Sequence, residues 1–161
     1  MKGAPQIVIV DDFLPVDMSY KPLFAKFGPD NSIWTALLEK AWAKTIGNYQ
    51  FIQSGHSDEA VEFLTNSPSS IYYISDLSST SFWTLVKNAD EKNYVMNIGS
   101  RSSGRGDQDT CEFGLPCAHS YSLLGVATVY SSNKTPIYLL KIRNPHGKDT
   151  TFSGAFRDKS S

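Results

Sequence analysis

A cysteine and a histidine lie two residues apart in "GLPCAHSYSLLG", residues 114–125, at the start of an apolar segment. A thiolate and an imidazole are the nucleophile and the general base of cysteine-dependent acyl transfer. On a strand, however, alternate side chains point in parallel with their Cβ atoms about 6.5 to 7 Å apart, whereas a thiol and its base must meet from facing elements. Cys117 is therefore interpreted as a small, buried or half-buried apolar residue, and the nucleophile that His119 would serve lies elsewhere.

Asn144 is a possible partner for His119. Residues 119–131 and 137–144 have the composition of strands, and "SSNKTP" between them predicts an antiparallel hairpin. Direct pairing of His119 with Asn144 would centre the turn before the middle of the apparent loop, so a bulge or an asymmetric loop is needed. An amide oxygen that accepts one ring N–H fixes the tautomer and plane of a catalytic imidazole. The pattern predicts a general base at His119 and an orienting residue at Asn144.

Each of these polar residues also has a structural interpretation. His119 could be satisfied by a backbone carbonyl, and an asparagine before a proline often opens a turn. Cys111 lies in a Gly- and Ser-rich stretch of 17 residues and is committed to no role, although it could close a short disulfide loop with Cys117. His146 could approach a metal together with His119 and Cys117, but no compact ligand spacing supports a metal site. The long stretch itself would lie at the rim of a substrate cleft.

The surrounding elements indicate an α+β fold, with helices packed on a twisted antiparallel sheet. Helical periodicity and capping residues predict a first helix between Ser32 as N-cap and Gly47, and a second that is capped by Ser57. The remaining predicted elements are a buried strand at 7–10, a third helix at 80–89, and strands at 94–100, 119–131 and 137–144.

Composition restricts the possible partners. The chain has 161 residues, 15 basic and 16 acidic residues and a net charge of -1, with no run of either sign. This pattern gives no support for nucleic acid or an anionic membrane as partner. No segment reaches the about 20 apolar residues of a membrane span, and the apolar run at 7–10 is too short for a signal peptide. The sequence predicts a single domain over 1–161 in an intracellular, cytoplasmic protein.

Five segments, in order, resemble the catalytic core of the calpain-like cysteine protease family. The resemblance implies a papain-like fold, and within it the second subdomain of the core, which bears histidine and asparagine. It also implies that His119 is the catalytic histidine and that Asn144 is the catalytic asparagine. The segments are "IVIVDDFLP", "WTALLEKAWAKTIGNYQFIQSG", "GLPCAHSYSLLG", "LLKIRNPHG" and "FSGAFRD".

The sequence also departs from the family pattern. The family's nucleophile lies in a Gly-Asp-Cys-Trp motif on a preceding subdomain, with an oxyanion-hole glutamine just before it, and these 161 residues contain neither. His146 takes the position of a tryptophan that shields the His–Asn bond. Ser32 takes the position at which calcium-regulated members have a calcium-binding glutamate. No cofactor is therefore predicted, and calcium remains only a family possibility.

Two functions follow as expectations. In the first, the chain is part of a cysteine endopeptidase that acts on peptide or protein substrates, and a cysteine-bearing lobe joins it in cis or in trans. In the second, it is a non-catalytic, protease-like module with a structural or interaction role in a larger assembly. In both cases the chain is expected to be inactive alone, because a base and its orienting residue form no acyl intermediate without a nucleophile.

Overall fold

The computed structural model describes residues 4–145 and 152–157, which form two compact units. Unit 1 covers Met1–Ser70 and unit 2 covers Ile71–Ser161. His146 lies outside the described residues. Across the described ranges, no helix combines the length and the apolar character that a membrane crossing requires. The prediction of one domain over the whole chain stays a prediction.

Unit 1 contains two α-helices, α1 (Trp34–Ile46) and α2 (Ser57–Thr65), and a 3-10 turn at Tyr49–Ile52. The Trp42 and Phe63 rings meet edge to face at 4.2 Å and join the two helices. Gly47 ends α1 as predicted, with a φ of 135° that favours glycine.

The buried face of α1 differs from the predicted apolar stripe. Ala36 and Ala43 are the buried residues of this helix, whereas Trp34, the first member of the predicted stripe, is 63% exposed. Glu39 lies on the buried side and accepts a hydrogen bond from the Ala25 backbone N–H at 2.9 Å. The small alanine side chains let backbone approach this face closely, and helical periodicity alone does not distinguish that arrangement from burial of the large residues.

Residues 7–10 do not form the predicted buried strand. The backbone there is unpaired by any strand of the described residues, and Ile7 and Ile9 are 95% and 77% exposed. The segment is held by polar contacts with α1 instead: Lys44 Nζ donates to the Ile9 carbonyl at 2.7 Å, and Lys40 forms an ion pair with Asp11. An apolar run specifies a strand only when a second strand supplies its hydrogen bonds.

The predicted N-caps of α1 and α2 are each displaced by one residue. Ile33, which has no side-chain acceptor, is the N-cap of α1, and the Ser32 N–H donates to Asp30 Oδ1 at 3.0 Å. His56 occupies the cap of α2, so that Ser57 is already helical. Ser32 is therefore committed to a local turn with Asp30, which is a common alternative for serine at a helix start.

Unit 2 contains helix α3 (Ser79–Glu91) and strands β1 (Met96–Gly99), β2 (Ser120–Tyr130) and β3 (Pro136–Arg143). The strands pair antiparallel in the order β1-β2-β3, which confirms the predicted α+β class and hairpin. α3 packs on the sheet, where Trp83 stacks on Tyr138 with ring centroids 4.5 Å apart. Short 3-10 turns lie at Ile74–Asp76, Gly106–Gln108 and Glu112–Gly114.

The β2–β3 hairpin contains the irregularity that the residue count predicts. Leu123 pairs with Ile142 and Gly125 pairs with Lys141, so Leu124 is left out of the pairing as a β-bulge. The residues on β2 that form the buried face are Tyr121 and Leu123, at 3% and 6% exposure. The bulge therefore lies between this buried part of the sheet and the turn.

Candidate active site

His119 immediately precedes β2, and Ser100, which follows β1, holds its backbone. The Ser100 N–H donates to the His119 carbonyl at 2.9 Å, and the His119 N–H donates to Ser100 Oγ at 3.0 Å. Ser100 Oγ donates in turn to the Pro116 carbonyl at 2.7 Å. These contacts fix the backbone from which the imidazole projects, because both polar groups of His119 are bound to one neighbouring residue.

Asn144 immediately follows β3 and meets His119 as predicted. His119 Nε2 and Asn144 Oδ1 are 2.9 Å apart, in a half-buried position. The two residues do not pair directly, however. Continuing the register of Ser122 with Arg143 places Asn144 opposite Tyr121, so the bond to His119 is a diagonal one between residues on the same face. The imidazole is long enough to bridge this offset.

The hydrogen bond defines which ring nitrogen of His119 carries a proton. An amide oxygen only accepts, so Nε2 is the donor. In the neutral ring, Nδ1 is then the basic nitrogen. The arrangement can take a proton at Nδ1 while the Nε2–H bond to Asn144 keeps the ring plane fixed.

Tyr121 packs against the imidazole from the same face of β2. The two rings meet edge to face, with centroids 4.8 Å apart and an angle of 87° between their planes. The Tyr121 hydroxyl donates to the Pro116 carbonyl at 3.3 Å, the same oxygen that accepts from Ser100. Burial raises the pKa of the Tyr121 phenol, so it remains a neutral donor near neutral pH. Ser100 and Tyr121 thus reach His119 from two sides of one carbonyl.

Cys117 is buried, as the sequence predicts, but it is also joined to Cys111 by a disulfide. The Cys117 N–H donates to the Asp109 carbonyl at 2.9 Å, and Thr110 and Pro116 form a single antiparallel bridge across the same loop. The prediction that Cys111 is uncommitted is therefore wrong. Because the chain has two cysteines and both are in the disulfide, neither is a thiolate in this structure.

The described residues do not supply a calcium site at the start of α1. Calcium takes six to eight oxygen ligands in most protein sites. Ser32 and Asp30 are bonded to each other there, and across residues 4–145 and 152–157 no three His, Cys, Asp or Glu side chains cluster as metal ligands do. The donor set does not fit calcium, and no step is derived through it.

The two supporting residues, Ser100 and Tyr121, escaped the sequence interpretation for different reasons. Tyr121 could have been found, because it lies two residues after His119 on a strand and so shares its face. Ser100 carried no signal of its own, because its contact with His119 depends on the register between β1 and β2, in which Gly99 pairs with Ser120.

Comparison with known proteins gives consistent results. Calpain-14 of Homo sapiens is 32% identical over 154 residues, which cover 96% of this chain and 22% of that protein. Calpain-12 of Homo sapiens is 34% identical over 151 residues, covering 94% of this chain and 20% of that protein. The calpain-type cysteine protease DEK1 of Zea mays is 29% identical over 169 residues, covering 99% of this chain and 7% of that protein.

This chain therefore spans between 7% and 22% of the length of these relatives. The sequence profile described as "Calpain family cysteine protease" matches residues 1–161. Together with the paired histidine and asparagine of unit 2, this match shows that the chain belongs to the calpain family of cysteine proteases.

Proposed function

We propose that the chain is the second, His- and Asn-bearing subdomain of a calpain-type cysteine endopeptidase core. His119 is its general base, and Asn144 is the residue that orients the base. The observation that carries this proposal is the 2.9 Å bond between His119 Nε2 and Asn144 Oδ1. It supports the proposal because it presents Nδ1 as the basic nitrogen in a ring whose plane is fixed.

In the proposed reaction, Nδ1 of His119 takes the proton of a cysteine thiol on a separate lobe. The thiolate attacks the substrate carbonyl carbon and forms a C–S bond, and the tetrahedral intermediate collapses as the C–N bond breaks. The proton on Nδ1 passes to the leaving amine. Water then adds to the thioester with His119 again as base, which breaks the C–S bond and regenerates the thiol. Throughout these steps the Nε2–H bond to Asn144 stabilises the imidazolium.

The nucleophile comes from outside these 161 residues, because both cysteines of the chain are held in a disulfide. We propose that a cysteine-bearing lobe joins in cis or in trans, and that peptides or proteins are the substrates. The isolated chain is inactive in this proposal. The intracellular location predicted from the sequence is part of the same proposal.

A second candidate function is a non-catalytic, protease-like module with a role in an assembly. The disulfide favours it, since a chain without a thiolate has nothing to deprotonate. In this case the His–Asn pair would be a retained structural feature, and neither residue would affect any peptidase activity.

A peptidyl epoxide, which alkylates an activated cysteine, tests the proposal on the native protein purified together with its associated chains. The enzyme proposal expects covalent labelling of a cysteine outside these 161 residues. His119→Ala should slow labelling and peptide hydrolysis by about 10²- to 10⁴-fold, as expected for loss of a general base. Asn144→Ala should slow them by about tenfold, which corresponds to one hydrogen bond of about 1.4 kcal/mol.

His56→Ala is the matched control, because His56 is exposed and lies in unit 1 at the start of α2. It should leave labelling unchanged. No labelling of any associated cysteine would favour the non-catalytic module. Hydrolysis by the purified 161-residue chain that is lost on His119→Ala would show that the nucleophile is not supplied from outside.

A further inference from the structure

We propose that Asp90 is a positioning residue for the His119–Asn144 pair. Its carboxylate holds the β-bulge at Leu124, and this bulge places Asn144 on the same face of the sheet as His119. The proposal rests on the proposed function for its catalytic meaning, but its structural content concerns the register of β2 and β3 and can be tested without activity.

The first step is a count of residues along the two strands. From Val126 to Ser122, β2 advances four residues, whereas β3 advances three, from Leu140 to Arg143, between the same two pairings. One residue of β2 must therefore be accommodated outside the ladder, and the structure places it at Leu124. Side chains alternate between the faces of a sheet, so where the extra residue is placed decides which faces meet at the far end.

The second step is the alternative register. If the pairing of Gly125 with Lys141 continued without a bulge, Leu124 would pair with Ile142 and Ser122 would pair with Asn144. Ser122 is three residues from His119 and so faces the opposite side of the sheet. Asn144 would then project away from His119, and the 2.9 Å bond between them could not form. The bulge thus determines whether base and orienting residue share a face.

The third step is the contact that holds the bulge. Asp90 is half-buried in the last turn of α3, and its Oδ2 accepts a hydrogen bond from the Val126 N–H at 3.3 Å. A Cβ on Gly125 would lie 3.4 Å from Asp90 Oδ1, so the carboxylate lies directly over the backbone beside the bulge. A bulge disrupts the ladder locally, and an acceptor from outside the sheet compensates for this. Stacking of Trp83 on Tyr138 keeps α3 against β3 at this level.

Two NMR readouts on the 161-residue chain test this proposal. The first is the Hε2 proton of His119, which is protected from exchange with water only while it is bonded to Asn144. The second is the cross-strand NOE of Arg143, which reports its partner on β2: Ser122 in the bulged register and Leu123 in the regular one. Circular dichroism and amide dispersion report whether each variant is folded.

Asp90→Ala should abolish the Hε2 signal and move the Arg143 NOE from Ser122 to Leu123. Asp90→Asn keeps an oxygen that can accept from Val126 and should retain both signals. Glu91→Ala is the matched control, because Glu91 is the next residue of α3 and pairs only across the exposed helix surface with Lys87 in the ion pair seen here. It should change neither readout.

Deletion of Leu124 is the decisive rescue, because it removes the extra residue and makes the bulge unnecessary. The deletion alone should keep both signals, and the double variant with Asp90→Ala should regain what Asp90→Ala loses. A folded Asp90→Ala chain with both signals unchanged would overturn the proposal. Loss of the Hε2 signal in a folded Leu124-deletion chain would also overturn it.

The double variant also covers a failure to fold. If Asp90→Ala is unfolded, a folded double variant with the Hε2 signal supports the proposal, whereas an unfolded double variant together with a folded Leu124 deletion overturns it, because Asp90 is then needed for something other than the bulge. None of these outcomes depends on a peptidase. If the native protein proves inactive, the proposed function fails while the NMR results still decide the role of Asp90.

Discussion

Ser100→Ala gives the sharpest test of how His119 is held. The substitution removes a hydroxyl that accepts from the His119 N–H at 3.0 Å and donates to the Pro116 carbonyl at 2.7 Å. Each such bond contributes about 0.5–1.5 kcal/mol net, so the loss of both should lower the free energy of unfolding of unit 2 by about 1–3 kcal/mol. The backbone bond from the Ser100 N–H to the His119 carbonyl remains, and the strands should therefore stay paired.

This loss can be measured by urea unfolding followed through resolved amide signals of β2. Tryptophan fluorescence is less suitable, because Trp34 and Trp42 belong to unit 1 and Trp83 to unit 2. With a slope of about 2 kcal/mol per M, a loss of about 2 kcal/mol lowers the urea midpoint by about 1 M. Hydrogen exchange at the His119 amide should accelerate by about tenfold for each 1.4 kcal/mol of lost protection.

Ser122→Ala is the matched control, since Ser122 lies on β2 and faces away from His119. Its effect on the free energy of unfolding should stay within about 0.5 kcal/mol, as for substitutions away from a bonded network. A midpoint for Ser100→Ala within about 0.25 M of the unmodified chain, with unchanged exchange at His119, would refute the view that the hydroxyl anchors this backbone.

Three further predictions concern other contacts. Cys111→Ser should lower the free energy of unfolding by about 2 kcal/mol, the chain-entropy value for so short a loop, and dithiothreitol should have the same effect on the unmodified chain in urea titrations. The ion pair with Lys40 holds the pKa of Asp11 below its ordinary value, so its stabilisation is present above the unfolded-state pKa and is lost as pH falls through the folded one; Lys40→Met should raise the Asp11 pKa measured by carboxyl NMR titration. Burial raises the pKa of Tyr121, so its phenol should ionise later than the exposed tyrosines in an ultraviolet titration, and Tyr121→Phe should cost at most about 1 kcal/mol in urea unfolding because its bond to Pro116 is long.

The hairpin of unit 2 could be predicted because its two strands carry their information locally. Residues 119–131 and 137–144 are apolar and rich in β-branched and aromatic side chains, and a polar turn lies between them. The count of residues across that turn also required a bulge, and the structure has one at Leu124. The meeting of His119 with Asn144 followed from the hairpin, although the direct pairing assumed for them was wrong by one diagonal step.

The features that could not be predicted depend on partners distant in sequence. The run at 7–10 has the composition of a strand, but Lys40 and Lys44 of α1 bind its flanking backbone in place of a neighbouring strand. Nothing local distinguishes these two outcomes. Ser32 is likewise a good capping residue by type, and only the competing turn with Asp30 removes it from the helix end.

The distribution of contacts around His119 bears on how activity would be switched on. The backbone of the ring is held by Ser100 beside β1, its plane by Asn144 beside β3, and one edge by Tyr121 on β2. All of these residues belong to unit 2, so the base is oriented before any other lobe arrives. An incoming lobe would then have to supply the thiol and the oxyanion donors but would not have to rearrange the base. In the proposed enzyme, inactivity of the chain alone is therefore a missing nucleophile and not a disordered site.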